Sequence, residues 1–217
     1  MVDGMATIHS LGNRIGAKTL GEWADCVADY VSNLFSPSCT RVDLVFDRYN
    51  QNTIKSARRK RTEGRKAIRR NVQSRSQCIG QWERFISMDD NKASLAAFLS
   101  TELANKFQDD RQRELVLSGG FPDPGKVWTS SMRDVTHLTA SEHEEADTRM
   151  LLHAKDAKEQ GYPQTVIVSR DTDVLVLLIA HQPQLSLFLW MQAGNPRKHS
   201  FVPVHLINLT DSHRTSL

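Results

Sequence analysis

The chain has 217 residues, the size of one large domain, and its 39% hydrophobic and 24% charged content excludes wholesale disorder. No run approaches the roughly 18 apolar residues of a spanning helix, and the opening Met1-Val-Asp-Gly lacks the basic and apolar regions of a signal peptide. The formal charge of +3 hides a concentration: residues 54–75 hold ten Lys or Arg and one acid, Glu63, for +9, which leaves −6 for the rest of the chain.

Val2 and Asp3 read as a strand end that turns at Gly4. Residues 19–35 read as a helix, because Trp23, Val27, Tyr30, Val31 and Leu34 recur at three- and four-residue steps. Val42–Phe46 is a short strand that stops at Asp47. The basic segment follows and predicts a helix over about 53–72, rich in helix formers. As a polycation it is either a polyphosphate-binding element or a solvated helix face. Residues 91–107 predict an amphipathic helix with Leu95, Phe98, Leu99 and Leu103 on one side, and 118–125 a Gly/Pro loop. Residues 141–160 predict a helix opened by a Ser141/Glu144 capping box, with Met150, Leu151, Leu152, Ala154 and Ala157 inward and Gly161-Tyr-Pro163 as its stop. Thr165–Ser169 is a buried strand, 174–180 an apolar run that fits strand or buried helix equally, and 186–191 a further strand. The alternation predicts an α/β fold with a mostly parallel central sheet flanked by helices. Cys26, Cys39 and Cys78 have no C-x-x-C spacing and read as free thiols of a reducing compartment, with no disulfide framework or zinc site.

Carboxylates follow three of these strands: Asp3, Asp47, and the pair Asp171/Asp173. Glu144, Glu145 and Asp147 open a helix. Ligand sites of open α/β sheets lie beyond the carboxyl ends of the strands, so these acids are expected at one edge. Clustered carboxylates raise one another's pKa, and a hard divalent cation relieves that penalty; an all-oxygen donor set suits Mg²⁺ or Mn²⁺. Each acid alone also fits a turn or helix cap. His143 and His153 are ten residues apart, not a zinc spacing, and read as surface or packing residues.

Four segments carry a family resemblance: residues 2–11 (Val-Asp-Gly-Met-Ala-Thr-Ile-His-Ser-Leu), residues 45–61 (Val-Phe-Asp-Arg-Tyr through Ile-Lys-Ser-Ala-Arg-Arg-Lys-Arg), Glu145-Ala-Asp147, and Ser169-Arg-Asp-Thr-Asp-Val-Leu175. In this order they resemble the flap endonuclease branch of the PIN-like nucleases. Residues 143–154 (His-Glu-Glu-Ala-Asp-Thr-Arg-Met-Leu-Leu-His-Ala) are also similar to uncharacterised metazoan proteins of that superfamily, several linked to mobile elements. No motif between about 73 and 139 anchors the likeness.

The resemblance implies one PIN-like domain over 1–217 with a basic helical arm and insertion at about 50–140, and a metal-dependent phosphodiesterase acting on DNA or RNA with a free end or a junction, with DNA the first expectation. It implies Asp3, Asp47, Glu145, Asp147, Asp171 and Asp173 as ligands of two Mg²⁺ or Mn²⁺ ions that clamp a scissile phosphate. Lys55, with Arg59 or Arg61, would stabilise transition-state charge, and the surrounding Arg58, Lys60, Arg65, Lys66, Arg69 and Arg70 would meet the phosphate backbone. Two departures stand out. Arg48 replaces the glycine after Asp47, and the family's Gly-x-Asp motif and helix-hairpin-helix module have no counterpart before Leu217, Asp211 being no substitute. The first strand is also expected to be mostly absent. Under this reading the chain is shortened at both ends, and activity is left open beside simple nucleic-acid binding with the same fold. A toprim-like site is disfavoured because there the glutamate follows a strand, and a protein-interaction domain is required by nothing in the sequence. The cluster Ala57-Arg-Arg-Lys-Arg61 suggests a nuclear location, and no membrane partner is expected.

Overall fold

The computed structural model describes residues 1–12, 16–47, 69–78, 80–123, 125–139, 146–195 and 198–207. Val2–Asp3 forms β1, and the Asp3 side chain caps α1 (Gly4–Leu11). In α2 (Leu20–Ser32) Thr19 Oγ1 accepts the Glu22 N–H at 3.2 Å, satisfying one of the orphan donors of the first turn. Trp23, Val27 and Val31 are buried at the predicted spacing. β2 (Arg41–Val45) is buried throughout. After it come α3 (Trp82–Ile86), α4 (Asp89–Phe107), β3 (Glu114–Ser118), β4 (Val127–Thr129), α5 (Ala146–Glu159), β5 (Gln164–Val168), α6 (Thr172–His181), β6 (Phe188–Asn195) and β7 (Lys198–Pro203).

The sheet has seven strands in the order β4-β3-β2-β1-β5-β6-β7. β3, β2, β1, β5 and β6 are parallel, and β4 and β7 close the two edges as antiparallel partners. This is an α/β architecture with a mostly parallel sheet between helices. On one face Leu44, Phe46, Leu115 and Leu117 pack with Ile8 of α1, Trp23 and Val27 of α2, and Leu95, Leu99 and Leu103 of α4. On the other, Val45, Ile167, Leu189 and Met191 pack with Ala146, Met150 and Ala154 of α5 and Val174 and Leu178 of α6. The two-residue β1 is central: Val2 faces Leu44 on one side and Val168 on the other.

Three expectations are refined. The ambiguous run 174–180 is helix, α6; only Val174 and Leu178 are buried, and Val176 is 64% exposed. The helix predicted over 53–72 does not extend through 69–72, which is irregular. There the Arg70 N–H donates to Asn91 Oδ1 at 2.7 Å and the Val72 N–H to Ser94 Oγ at 2.8 Å, so side chains of α4 take the donors that a helix would turn inward. The strand predicted at 186–191 begins at Phe188 and runs to Asn195. No helix among the described residues is long and apolar enough to cross a membrane.

Candidate metal centre

Because β1, β2 and β5 are adjacent and parallel, their carboxyl ends share one edge. Asp3 ends β1, opposite Val45. Asp47 lies two residues beyond β2, and Asp171 three beyond β5. The start of α5 is tied to the same edge, since the Ala146 N–H donates to Asp47 Oδ1 at 3.0 Å, joining segments 99 residues apart. Asp147 is therefore in the first turn of a helix that begins at this edge.

Three of these acids also cap helices, as each alone would. Asp3 Oδ1 accepts from the Ala6 N–H at 2.9 Å, Asp171 Oδ1 from the Asp173 N–H at 2.9 Å, and Asp47 Oδ1 from Ala146. Helix N-termini stabilise negative charge, so three helix starts partly compensate the gathered acids.

That compensation is incomplete. Burial raises the Asp3 pKa above the usual carboxylate range; the Ala6 N–H opposes the rise, and Asp47 and Asp171 add to it. Asp147 is pushed up to about 6, first by burial and then by Asp171, Asp3, Asp47 and Asp173. Asp147 thus feels the charge of four other carboxylates, and Asp3 that of two. Even so, among the described residues no three His, Cys, Asp or Glu side chains form a group that could hold a metal ion.

Other predicted site residues lie outside the described residues: Glu145, Lys55, Arg58, Arg59, Lys60, Arg61, Arg65 and Lys66. Of the basic segment, Arg69, Arg70 and Arg75 are described; Arg75 pairs through Nη2 with Asp25 Oδ2 at 2.7 Å and through Nη1 with Glu102, and Arg69 and Arg70 lie beside the start of α4. Arg69 Nε stands 3.5 Å from Asp90 Oδ2, and the Arg70 backbone bonds Asn91.

Beneath the acids lies a buried polar layer that the sequence reading missed. Arg149, 1% exposed, donates through Nη1 to the Phe46 carbonyl at 2.6 Å and through Nη2 to Ser118 Oγ. It clamps α5 to the ends of β2 and β3, one residue before Asp47. Gly119 makes room for it, since a Cβ there would stand 2.1 Å from Arg149 Nη1 and 2.2 Å from the Phe46 oxygen. One turn on, His153 is fully buried and its Nδ1 bonds Asp43 Oδ2 at 2.7 Å. His153 is thus a packing residue. Burial pushes its pKa down against the pull of Asp43, so the ring is neutral and Nδ1 carries the donated proton. Burial would raise the Asp43 carboxyl, but Arg41 and the bonds from His153 and Arg41 hold it well below the usual range. Arg41 also reaches Asp156 at 2.7 Å, which Arg133 grips through both Nη1 and Nη2 and His137 through Nε2. The signal for this layer was present in the sequence: Arg149, His153 and Asp156 share the helical spacing of Ala146, Met150 and Ala157. Polar types at those positions hid them from a search for apolar faces.

No protein-family model, curated protein or solved structure matches the chain.

Proposed function

We propose that this chain is a PIN-like protein of the flap endonuclease type, a phosphodiesterase that hydrolyses nucleic acid with Mg²⁺ or Mn²⁺. One observation carries the reading: Asp3, Asp47 and Asp171 follow adjacent parallel strands and Asp147 opens a helix bonded to Asp47, so four separate chain segments bring acids to one carboxyl edge of the sheet. Such a gathering raises the free energy of the metal-free protein, and a structural role in capping needs no such crowding. The donors are all carboxylate oxygens, a fit for a hard divalent cation. Asp3, Asp47, Asp147, Asp171 and Asp173, with Glu145, would hold it. Bound there, the metal would supply charge stabilisation to a phosphate and an activated water. The chain's own residues do the rest. Asp47 and the α5 N-terminus fix each other through the Ala146 bond, Arg149 holds the backbone beneath them, and Lys55 with Arg59 or Arg61 would contribute positive charge to the phosphate.

Incubation of end-labelled DNA and RNA with Mg²⁺ or Mn²⁺ tests this. Cleavage is expected, lost in EDTA and reduced at least 100-fold by Asp171→Ala, an order typical of removing a group that stabilises transition-state charge. Cleavage that survives EDTA overturns the proposal. A second reading, a nucleic-acid-binding protein of the same fold without turnover, is favoured by the lack of a ready three-residue metal group among the described residues. It predicts salt-sensitive binding and no cleavage with either metal.

A further inference from the structure

The outer hairpin of the sheet carries a feature that the carboxylate edge does not explain. Leu189 and Met191 of β6 are buried against α5 and α6, so Phe188, Trp190 and Gln192 face the opposite way. Register places Phe201 opposite Gln192 and Pro203 opposite Trp190, on that same face. The rings adjoin edge to face: His205 stands 5.7 Å from Phe188 and 5.1 Å from Trp190, and His199 stands 5.9 Å from Phe201. The rings thus form two groups on the hairpin, Phe188 with Trp190 and His205, and Phe201 with His199, and Phe188 is 46% and Phe201 52% exposed. Exposed apolar rings gathered on one face mark an interaction site more often than an accident of packing.

Charge narrows the partner. No Asp or Glu occurs between Asp173 and Asp211, a stretch that contains Arg197, Lys198 and three histidines. A polyanion approaching β6 and β7 therefore meets no carboxylate from this stretch. The hairpin is also bonded to the segment that leads to the candidate centre, because the Ser169 N–H reaches the Gln192 carbonyl at 3.4 Å, two residues before Asp171. From β5 to Phe201 is two strand spacings, about 10 Å. Flat rings on a hairpin whose sequence is basic and free of acids are the means by which proteins hold unpaired bases without reading their sequence.

We infer that the Phe188–Trp190–Phe201 face is a stacking platform for the unpaired bases of a single-stranded nucleic acid whose backbone passes the carboxylate edge. This rests on the nucleic-acid reading above and adds a strand preference to it. The test is fluorescence anisotropy in EDTA with a labelled oligothymidylate and a duplex of equal length, across a salt series. Phe188→Ala/Phe201→Ala weakens single-strand binding at least tenfold and leaves both duplex binding and the salt slope unchanged, since stacking releases no counterions. Phe201→Trp retains the wild-type affinity. Oligothymidylate also quenches the wild-type tryptophan emission, and Trp190→Phe removes most of that quenching, a readout that needs no alanine variant to fold. A folded double variant that binds single strands like the wild type overturns the platform and leaves the nucleic-acid reading standing. Failure of the intact chain to bind either probe overturns both. A double variant that loses only self-association in sedimentation assigns the face to a second copy of the chain and overturns the platform.

Discussion

Asp147 shows what a shared edge costs a single side chain. Its folded pKa of about 6 exceeds the unfolded value of about 3.9. The folded state thus holds more protons between these values, and the Asp147 contribution to stability falls as pH rises from about 4 to 6. Asp147→Asn removes that repulsion. In EDTA at pH 7 it is expected to stabilise the chain by about 1 kcal/mol, after allowing for solvent screening of a half-buried group, with the gain gone at pH 4; urea titrations at both pH values check this. Mn²⁺ should raise the Tm of the wild type more than that of the variant. Asp43 behaves oppositely. Its folded pKa is depressed, so its contribution is present above about pH 4 and lost as pH falls through the folded value. Asp43→Ala would leave Arg41 and His153 buried against a missing partner, and a loss of about 3–5 kcal/mol is expected in urea unfolding.

Elements carry two roles at once, and variants must separate them. Asp171 caps α6 as well as facing the other acids. Asp171→Ala loses the cap, worth about 1 kcal/mol, together with the charge; Asp171→Asn keeps a capping oxygen and loses only the charge. The proposed function expects both to abolish cleavage, with only the alanine variant lowering the Tm by a few degrees. Had the residue acted solely as a cap, asparagine would restore activity. The same double use explains what was legible in the sequence. α2, α4 and α5 announce themselves because one side of each is apolar at helical spacing, and β2 and β5 because buried parallel strands read as continuous apolar runs. α6 did not, since Leu175, Val176 and Ile179 are apolar without being fully buried. β3 holds only three apolar residues, Leu115 to Leu117, between polar ends, β4 has three residues and β7 is an edge strand ending in Pro203, so neither a long apolar run nor alternation marked them.

Across the whole molecule, the positions of Asp3, Asp47 and Asp171 followed from a single topological rule about strand ends, which needs only the strand assignments, whereas Asp147 joins them through the helix start bonded to Asp47. The layer below them did not follow, because no sequence spacing tells that Asp43 of a central strand meets His153 of a helix 110 residues away. The Phe46 ring lies on the other side of the sheet, where a Cβ on Gly4 would lie 2.4 Å from it and one on Gly120 2.9 Å. Three remote stretches, the entry to α1, the exit from β2 and the loop after β3, therefore close on one aromatic side chain. Change at any of them is conditional on the others. Gly4→Ala alone should unfold at lower urea, and a smaller residue in place of Phe46 should restore part of the loss, so a lineage drifting at this spot is expected to exchange these residues in pairs.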